Sequence, residues 1–549
     1  MYYVVIKDIQ YQYKICRGGE TIMSGYYMLV LHTHLPWVKK AGKWPFGEEW
    51  LYEAIFDSYL PLLITFSKLY KEGVKFKVAI NITPVVAEML EDTYLQNEAL
   101  AYIEDLIDRA LSDLKTRDMP YRELAEFWFK HFSLLKDEYL RIDKDVVGAF
   151  KALASKGVVE LFTSAATHGF LPLLGTDGSI NLQVGVGVDS FRKRMGFSPN
   201  GFWMPECAYR PKETIVVGDR VIERPGIEYF LEKHGIKYTI IDHRALQIEA
   251  VKIENGYMPS IPEGEFMSMQ PYYLANSSVV AFPRHGRLSE QVWSAGIGYP
   301  GDGDYLEFHK RDSETGLKYW RITDKNLDLG YKDIYHPEWA SGKIKLHARD
   351  FVSKVADVLW EYERKYGAGG YVLTAFDTEL FGHWWFEGPN FLYHMIKIMV
   401  DNQIEVITPS DFLSVTDINA RIFLPRNSWG YMGTFWVWNN EKVSWMWQPL
   451  YESEILVKKA LMEGKKDKRI IRQMFRELLI LEASDWQFLI TTGGAVHYAK
   501  DMFNLHKSRV DTLAHVLLGE EKIDEDTLKM WEDEDSLFEE IDEKLFLEV

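Results

Sequence analysis

Glu206 stands where the apolar run Gly201-Phe202-Trp203-Met204 stops at Pro205. That run reads as a short strand buried on both faces, and the proline ends its ladder by removing a backbone donor. Glu206 therefore falls at a strand's carboxyl end, where a carboxylate can serve as a nucleophile. A lone glutamate there also serves as a helix N-terminal charge or a salt-bridge partner. The case for chemistry comes from a second stretch, Ala375 to Pro389, which gathers Asp377, Glu379, His383, Trp384, Trp385 and Glu387. Buried carboxylates need partners, and consecutive large aromatics near a loop are costly unless they cover something. Sugar rings are what such flat, rigid, apolar faces cover. Two carboxylates at the ends of parallel strands, roughly 5 to 5.5 Å apart, are what a retaining glycosidase uses to form a covalent intermediate. Glu206 and Asp377 are the pair on offer.

A third stretch, His32-Thr33-His34-Leu35-Pro36-Trp37, also follows a strand, and histidines two apart on a strand point to one side. Such a pair can ligate zinc, donate to sugar hydroxyls or a carboxylate, or pack in a core. The zinc reading needs a third ligand and a carboxylate or thiol set that the sequence does not assemble.

The elements that would position these groups alternate between strand and helix. Strands are expected at Tyr26–Leu31, Phe76–Ile82, Val159–Ser164 ahead of His168, Gly201–Met204, Lys237–Ile241 ahead of Asp242, Val279–Phe282 ahead of Arg284, and Tyr371–Phe376 ahead of Asp377. Polar residues after nearly every strand argue for a parallel barrel whose site collects at its carboxyl-terminal face, and seven strands make it an incomplete one. The expected organisation is an N-terminal extension (1–25), a (β/α)7 barrel (26–415) and a C-terminal all-helical domain (416–549) that lends aromatics to the cleft. Within the barrel, helices about 84–156 are inserted, and loops about 256–336 exceed ordinary connections. The acidic stretch Glu521 to Glu540 reads as a solvated helical face.

Composition narrows the function. A chain of 549 residues, 47% apolar and 14% aromatic, can bury a large core. Its net charge of −18, with no basic run to offset it, repels phosphate backbones, so nucleic acid is not an expected partner. Two cysteines, Cys16 and Cys207, make neither a disulfide framework nor a thiolate cluster, and a reducing cytoplasm fits. No stretch of about 18 apolar residues predicts a membrane span, and no signal peptide is legible.

Taken in order, the motifs resemble those of glycoside hydrolase family 57. His32 to Trp37 resembles its first motif, Glu160 to Ser164 with His168 its second, Gly201 to Tyr209 its third, Ala375 to Trp385 its fourth, and Thr408 to Leu413 its fifth. The resemblance implies a (β/α)7 barrel and a retaining mechanism on α-glucans without metal or other cofactor, with Glu206 as nucleophile and Asp377 as acid/base. Within the family, Val292 to Asp302 and the Trp429 to Trp447 cluster resemble the glycogen branching enzymes. That resemblance places Trp50, Trp293, Trp429 and Trp438 at sugar-stacking positions and His32, His34 and His168 in the cleft. His383, Asp485 and the loop residue Tyr257 complete the expected substrate contacts, and Tyr257, with Tyr272 and Tyr273 as substitutes, is the expected lid aromatic that governs acceptor choice. The alternatives are an α-amylase or 4-α-glucanotransferase of the same family and a noncatalytic glucan-binding protein. A binding protein would not need carboxylates at both strand ends.

Overall fold

The computed structural model describes residues 25–217, 220–253, 262–294, 296–367 and 369–548. Thirteen strands occur in chain order among them: β1 (Tyr26–Thr33), β2 (Val78–Ile82), β3 (Val159–Ser164), β4 (Gly201–Trp203), β5 (Glu213–Val217), β6 (Arg220–Arg224), β7 (Tyr238–Ile241), β8 (Val251–Ile253), β9 (Tyr272–Leu274), β10 (Val280–Pro283), β11 (Tyr371–Asp377), β12 (Glu405–Val406) and β13 (Ala420–Ile422). The expected strands are β1, β2, β3, β4, β7, β10 and β11, and they run parallel in the order β11-β1-β2-β3-β4-β7-β10. No strand ladder joins β10 to β11 among the described residues. One backbone hydrogen bond, from His285 N–H to the Leu373 carbonyl at 2.7 Å, crosses that seam, and the Phe282 and Tyr371 rings meet beneath it with centroids 5.6 Å apart.

Side-chain alternation decides what fills the barrel. Met28, Val30, Ala79, Phe162, Ile240, Phe282, Leu373 and Ala375 belong to one buried cluster, whereas Tyr27, Leu29 and Leu31 belong to the larger core under the helices. Phe412, on the helix Pro409–Val415, joins the inner cluster against Tyr26 and Tyr371, at the strands' amino ends. On six of the seven strands, two residues beyond the last inner apolar position, the same alternation delivers His32, Asn81, Ser164, Asp242, Arg284 and Asp377; on β4 it delivers Pro205, and Glu206 follows in the turn. The polar ring at the carboxyl end is thus a consequence of strand periodicity.

Between β2 and β3 lie the helices Pro84–Glu91, Thr93–Thr116, Tyr121–Arg141 and Val146–Ser155. The long stretch before the helix Pro337–Tyr366 packs on them: Trp128 Nε1 donates to the Lys318 carbonyl at 2.6 Å, and the Tyr319 hydroxyl donates to Asp113 at 2.7 Å. Glu387 holds the same stretch by accepting from Leu306 N–H and the Tyr335 hydroxyl. The sequence reading missed the β5–β6 hairpin and the small sheet β9-β13-β8 appended to β10. Tyr272 and Tyr273 lie on β9, and Tyr272 is buried with its hydroxyl bonded to the Met267 carbonyl, so neither belongs to a lid. A strand of alternating burial this short, between two polar turns, carries too little pattern to be separated from loop.

From Trp447 the chain is helical, in the helices Trp447–Glu463, Lys468–Leu481, Asp485–Thr492, Val496–Leu518 and Glu525–Glu534. The bend Glu482–Ser484 is fastened to the barrel rim. Ala483 bridges Gly169, Ser484 N–H donates to the His168 carbonyl at 3.2 Å, and Gln183 Nε2 donates to Glu482 at 2.8 Å. The acidic C-terminal stretch is not merely a solvated face. Asp535 is buried, pairs with Arg509 and lies 3.8 Å from His506, which is also bonded to the buried Glu477. No helix of the described residues is long and apolar enough to cross a membrane.

Candidate active site

Glu206 follows β4 in a single tight turn and has φ 60°, ψ 23°, with Cys207 at φ 49°. Left-handed backbone at two successive non-glycine residues is strained, and such strain persists only where the surroundings hold it. Three hydrogen bonds do so: Cys207 N–H to the Met204 carbonyl at 2.8 Å, Ala208 N–H to the Pro205 carbonyl at 2.9 Å, and Trp429 N–H to the Glu206 carbonyl at 2.9 Å. Trp429 also donates from its indole Nε1 to Glu206 Oε2 at 2.6 Å. Burial pushes the Glu206 carboxyl up to about 8, the Trp429 N–H works against that rise, and the charge of Asp377 adds to it.

Asp377 ends β11, directly beside His32 in the β1 register. Burial pushes its carboxyl up to about 7, opposed by His34 and by the Arg284 guanidinium, and no hydrogen-bond donor among the described residues reaches it. Arg284 is aimed by Asp242, whose Oδ2 accepts from its Nε at 2.7 Å, and lies over the Trp429 ring at 5.3 Å. Two neighbouring carboxyls in a dry site cannot both ionise cheaply. Burial and neighbouring charge raise Glu206 further than Asp377, which by itself would put the proton on Glu206. The charge-assisted Trp429 donor acts the other way, and it is this donor geometry that lets Glu206 carry the charge while Asp377 keeps the proton. Two residues on, Glu379 is buried behind Asp377 and accepts from the Tyr59 hydroxyl at 2.6 Å.

The three histidines expected in the cleft come together there. His32 and His168 rings stack at 4.9 Å with their Nε2 atoms 3.0 Å apart, and His34 stacks on His168 at 3.8 Å. Burial holds His32 and His168 well below the usual imidazole range, so both are neutral. His34 Nε2 sits 3.0 Å from each oxygen of Asp485, which reaches the cleft from the helical end. Together His34, His168 and Asp485 bring ligand atoms within 4.8 Å of one another, a three-point arrangement that could take a cation. The imidazole nitrogens are already engaged: His34 with Thr83 and Asp485, His168 with His32 and Ser484.

The other expected contacts separate. Trp429 is in the site as a hydrogen-bond donor to Glu206. Trp50 is half-buried and meets the Tyr498 ring edge-on at 5.4 Å. Trp293 is 47% exposed and meets the similarly open Trp384, one of the two adjacent indoles of the Ala375–Pro389 stretch, at 5.9 Å. His383 is fixed by Asp57 at 3.0 Å, and Gly382, with φ 119°, makes that contact possible because a Cβ there would fall 1.7 Å from the Asp57 carbonyl oxygen. Trp438 is corrected: it is 1% exposed and stacks on Phe170 at 4.6 Å, so its indole supports the Trp429 loop from beneath and offers no face to a sugar. Tyr257 lies outside the described residues. Asn81 and Ser484 were missed. Asn81 could have been found by extending the inward alternation of β2, whereas nothing local marks Ser484, whose role depends on a contact 316 residues away.

Residues 28–425 match the sequence profile of glycosyl hydrolase family 57, and residues 452–546 match that of the C-terminal region of 1,4-alpha-glucan branching enzymes. The chain belongs to glycosyl hydrolase family 57. Among curated relatives in this family, a 1,4-alpha-glucan branching enzyme of Thermococcus kodakarensis is 42% identical over 93% of this chain and 76% of its own. The crystal structure of that enzyme with glucose superposes with a TM-score of 0.88 at 40% identity, covering 95% of this chain and 96% of the other. A family 57 branching enzyme of Pyrococcus horikoshii gives 0.86 at 38% identity, covering 95% and 96%. An alpha-amylase of Thermotoga maritima gives 0.81 at 29% identity, covering 95% and 99%. These family 57 relatives match the barrel and the helical end together.

Proposed function

We propose that this chain is a retaining 1,4-alpha-glucan branching enzyme. The observation that carries the reading is the carboxyl pair at the barrel mouth, with an indole donor on Glu206 and, among the described residues, none on Asp377, in a chain whose helical end matches the branching-enzyme C-terminal profile. Ionised Glu206 attacks the anomeric carbon of an α-1,4 linkage while Asp377 passes its proton to the leaving oxygen. A covalent glucosyl–Glu206 ester results, and the ionised Asp377 then draws a proton from an incoming 6-hydroxyl, which closes an α-1,6 branch. Arg284 stabilises the charge that appears on Asp377 between the two steps. Trp50, Trp293 and Trp384 supply stacking faces for the glucan, and His34, Asp485 and His383 supply hydrogen-bonding groups.

Hydrolysis shares every step except the acceptor, and the similarity to an alpha-amylase favours it as the second reading. Incubation with amylose decides between them: branching produces α-1,6 linkages with few new reducing ends, and amylase activity produces reducing ends without α-1,6 linkages. We assign the chain to α-glucan storage metabolism in the cytoplasm.

A further inference from the structure

Behind Glu206 a chain of hydrogen bonds runs inward, and its polarity follows from one amide. Asn81 Nδ2 donates to the Phe162 carbonyl at 3.1 Å, so its Oδ1 faces His32 and accepts from His32 Nδ1–H at 2.7 Å. His32 is neutral, which leaves its Nε2 an acceptor. The proton in the 3.0 Å contact between the two Nε2 atoms therefore belongs to His168. His168 is neutral too, so its Nδ1 is an acceptor and takes the hydroxyl proton of Ser484 at 3.0 Å. Ser484 has no second proton. Glu206 Oε1, 3.5 Å away, is the other acceptor this hydroxyl can reach, and with the proton spent on the nearer His168 Nδ1 only lone pairs are left for the carboxylate.

We propose that the series Asn81–His32–His168–Ser484 is a polarity lock that turns the Ser484 hydroxyl away from the nucleophile and leaves Trp429 as the donor on which the Glu206 carboxylate depends. The proposal rests on the role of Glu206 given above. Its chemical consequence is a more reactive carboxylate, because each donor that stabilises an ionised nucleophile also weakens its attack. The lock has one reversing condition. A proton added to the histidine pair would make His168 Nδ1 a donor to Ser484, and the hydroxyl would then turn to Glu206. His168 φ of 61° and the Ser484 N–H bond to the His168 carbonyl hold the two side chains in register. These four are positioning residues.

The charged and titratable groups facing Glu206 are Asp377, Asp485 and His168, and those facing the histidine pair are His34, Asp485 and Glu206. The test must separate a turned hydroxyl from a change of charge. Asn81→Asp places an anion on His32 and favours the extra proton. It should lower the acidic pKa of the kcat/KM profile for maltooligosaccharide cleavage by about one unit, and adding Ser484→Ala should cancel that shift. Ser484→Ala alone should leave the acidic pKa in place, and Ser484→Thr should restore the shift in the Asn81→Asp background. A rise of a unit in Ser484→Ala alone would show that the hydroxyl already donates to Glu206, and a shift persisting in the double variant would show plain through-space charge; either overturns the lock. Nitrogen NMR of the unsubstituted protein labelled at histidine gives a readout that needs no Asn81 variant to fold. The lock requires His32 as the Nδ1–H tautomer and His168 as the Nε2–H tautomer, and the opposite pair refutes it even if Glu206 proves to be the nucleophile. If the tautomers are as stated and Glu206→Gln retains turnover, the fault lies with the nucleophile assignment instead.

Discussion

Replacing Trp429 with phenylalanine removes one atom pair from the site, the indole N–H and its bond to Glu206 Oε2 at 2.6 Å. The phenyl ring keeps a face toward Trp203, now 5.0 Å from the indole, and toward the Arg284 guanidinium. A hydrogen bond to a charged group contributes about 1.5–3 kcal/mol, and 1.36 kcal/mol corresponds to one pKa unit. Because the bond favours the ionised form, its loss should raise the acidic pKa of kcat/KM by about one to two units. On the acidic side, kcat/KM should fall roughly ten- to a hundredfold while the plateau falls less. The assay is the pH dependence of initial rates on a short maltooligosaccharide at low substrate, with thermal melts run in parallel. A raised KM with an unmoved acidic limb would refute the reasoning and reduce Trp429 to a stacking face.

Glu206→Gln should abolish branching and hydrolysis together, by roughly ten-thousandfold or more, with an unchanged circular dichroism spectrum, since an isosteric amide cannot attack; residual turnover near wild type removes Glu206 from the role. Trp438→Ala should destabilise the protein by about 3–5 kcal/mol in denaturant titration with little change in KM, as expected of a buried indole, whereas a large KM effect on a stable variant would return Trp438 to the cleft. Trp293→Ala should do the reverse, raising KM for amylose while the melting temperature holds. Dialysis against a chelator should leave activity unchanged because the nitrogens of His34 and His168 are engaged by protein groups, and loss that metal restores would contradict this.

Legibility in the sequence followed the range over which each signal acts. The seven parallel strands were readable because each is a short apolar run ended by polar residues, and β3 was placed to the residue. The nucleophile and acid/base candidates were readable because they stand at strand ends; periodicity fixes the direction of Asp377, whereas Glu206, three residues past the inward Trp203, takes its direction from the left-handed turn. Trp438 was misread because a tryptophan in a Trp-rich loop carries no mark of which face the loop turns outward, and only the stacking on Phe170 decides it. Ser484 was invisible for a different reason: its function lies in a contact between the barrel and the helical end, and nothing in either local pattern encodes the other, whereas Asn81 was legible in the inward alternation of β2 and was overlooked. The strain at Glu206 was also hidden, since neither proline nor glycine marks a left-handed residue there.

The most direct test of the central claim is to trap the glycosyl-enzyme. In Asp377→Asn the base needed for the second step is gone, but a maltosyl fluoride needs no acid to leave, so attack by Glu206 should proceed and release should stall. Mass spectrometry of a rapid acid quench and peptic digest should find one maltosyl group on the peptide carrying Glu206. An adduct on a different carboxylate, or turnover without any adduct and with inverted anomeric configuration, would contradict the account.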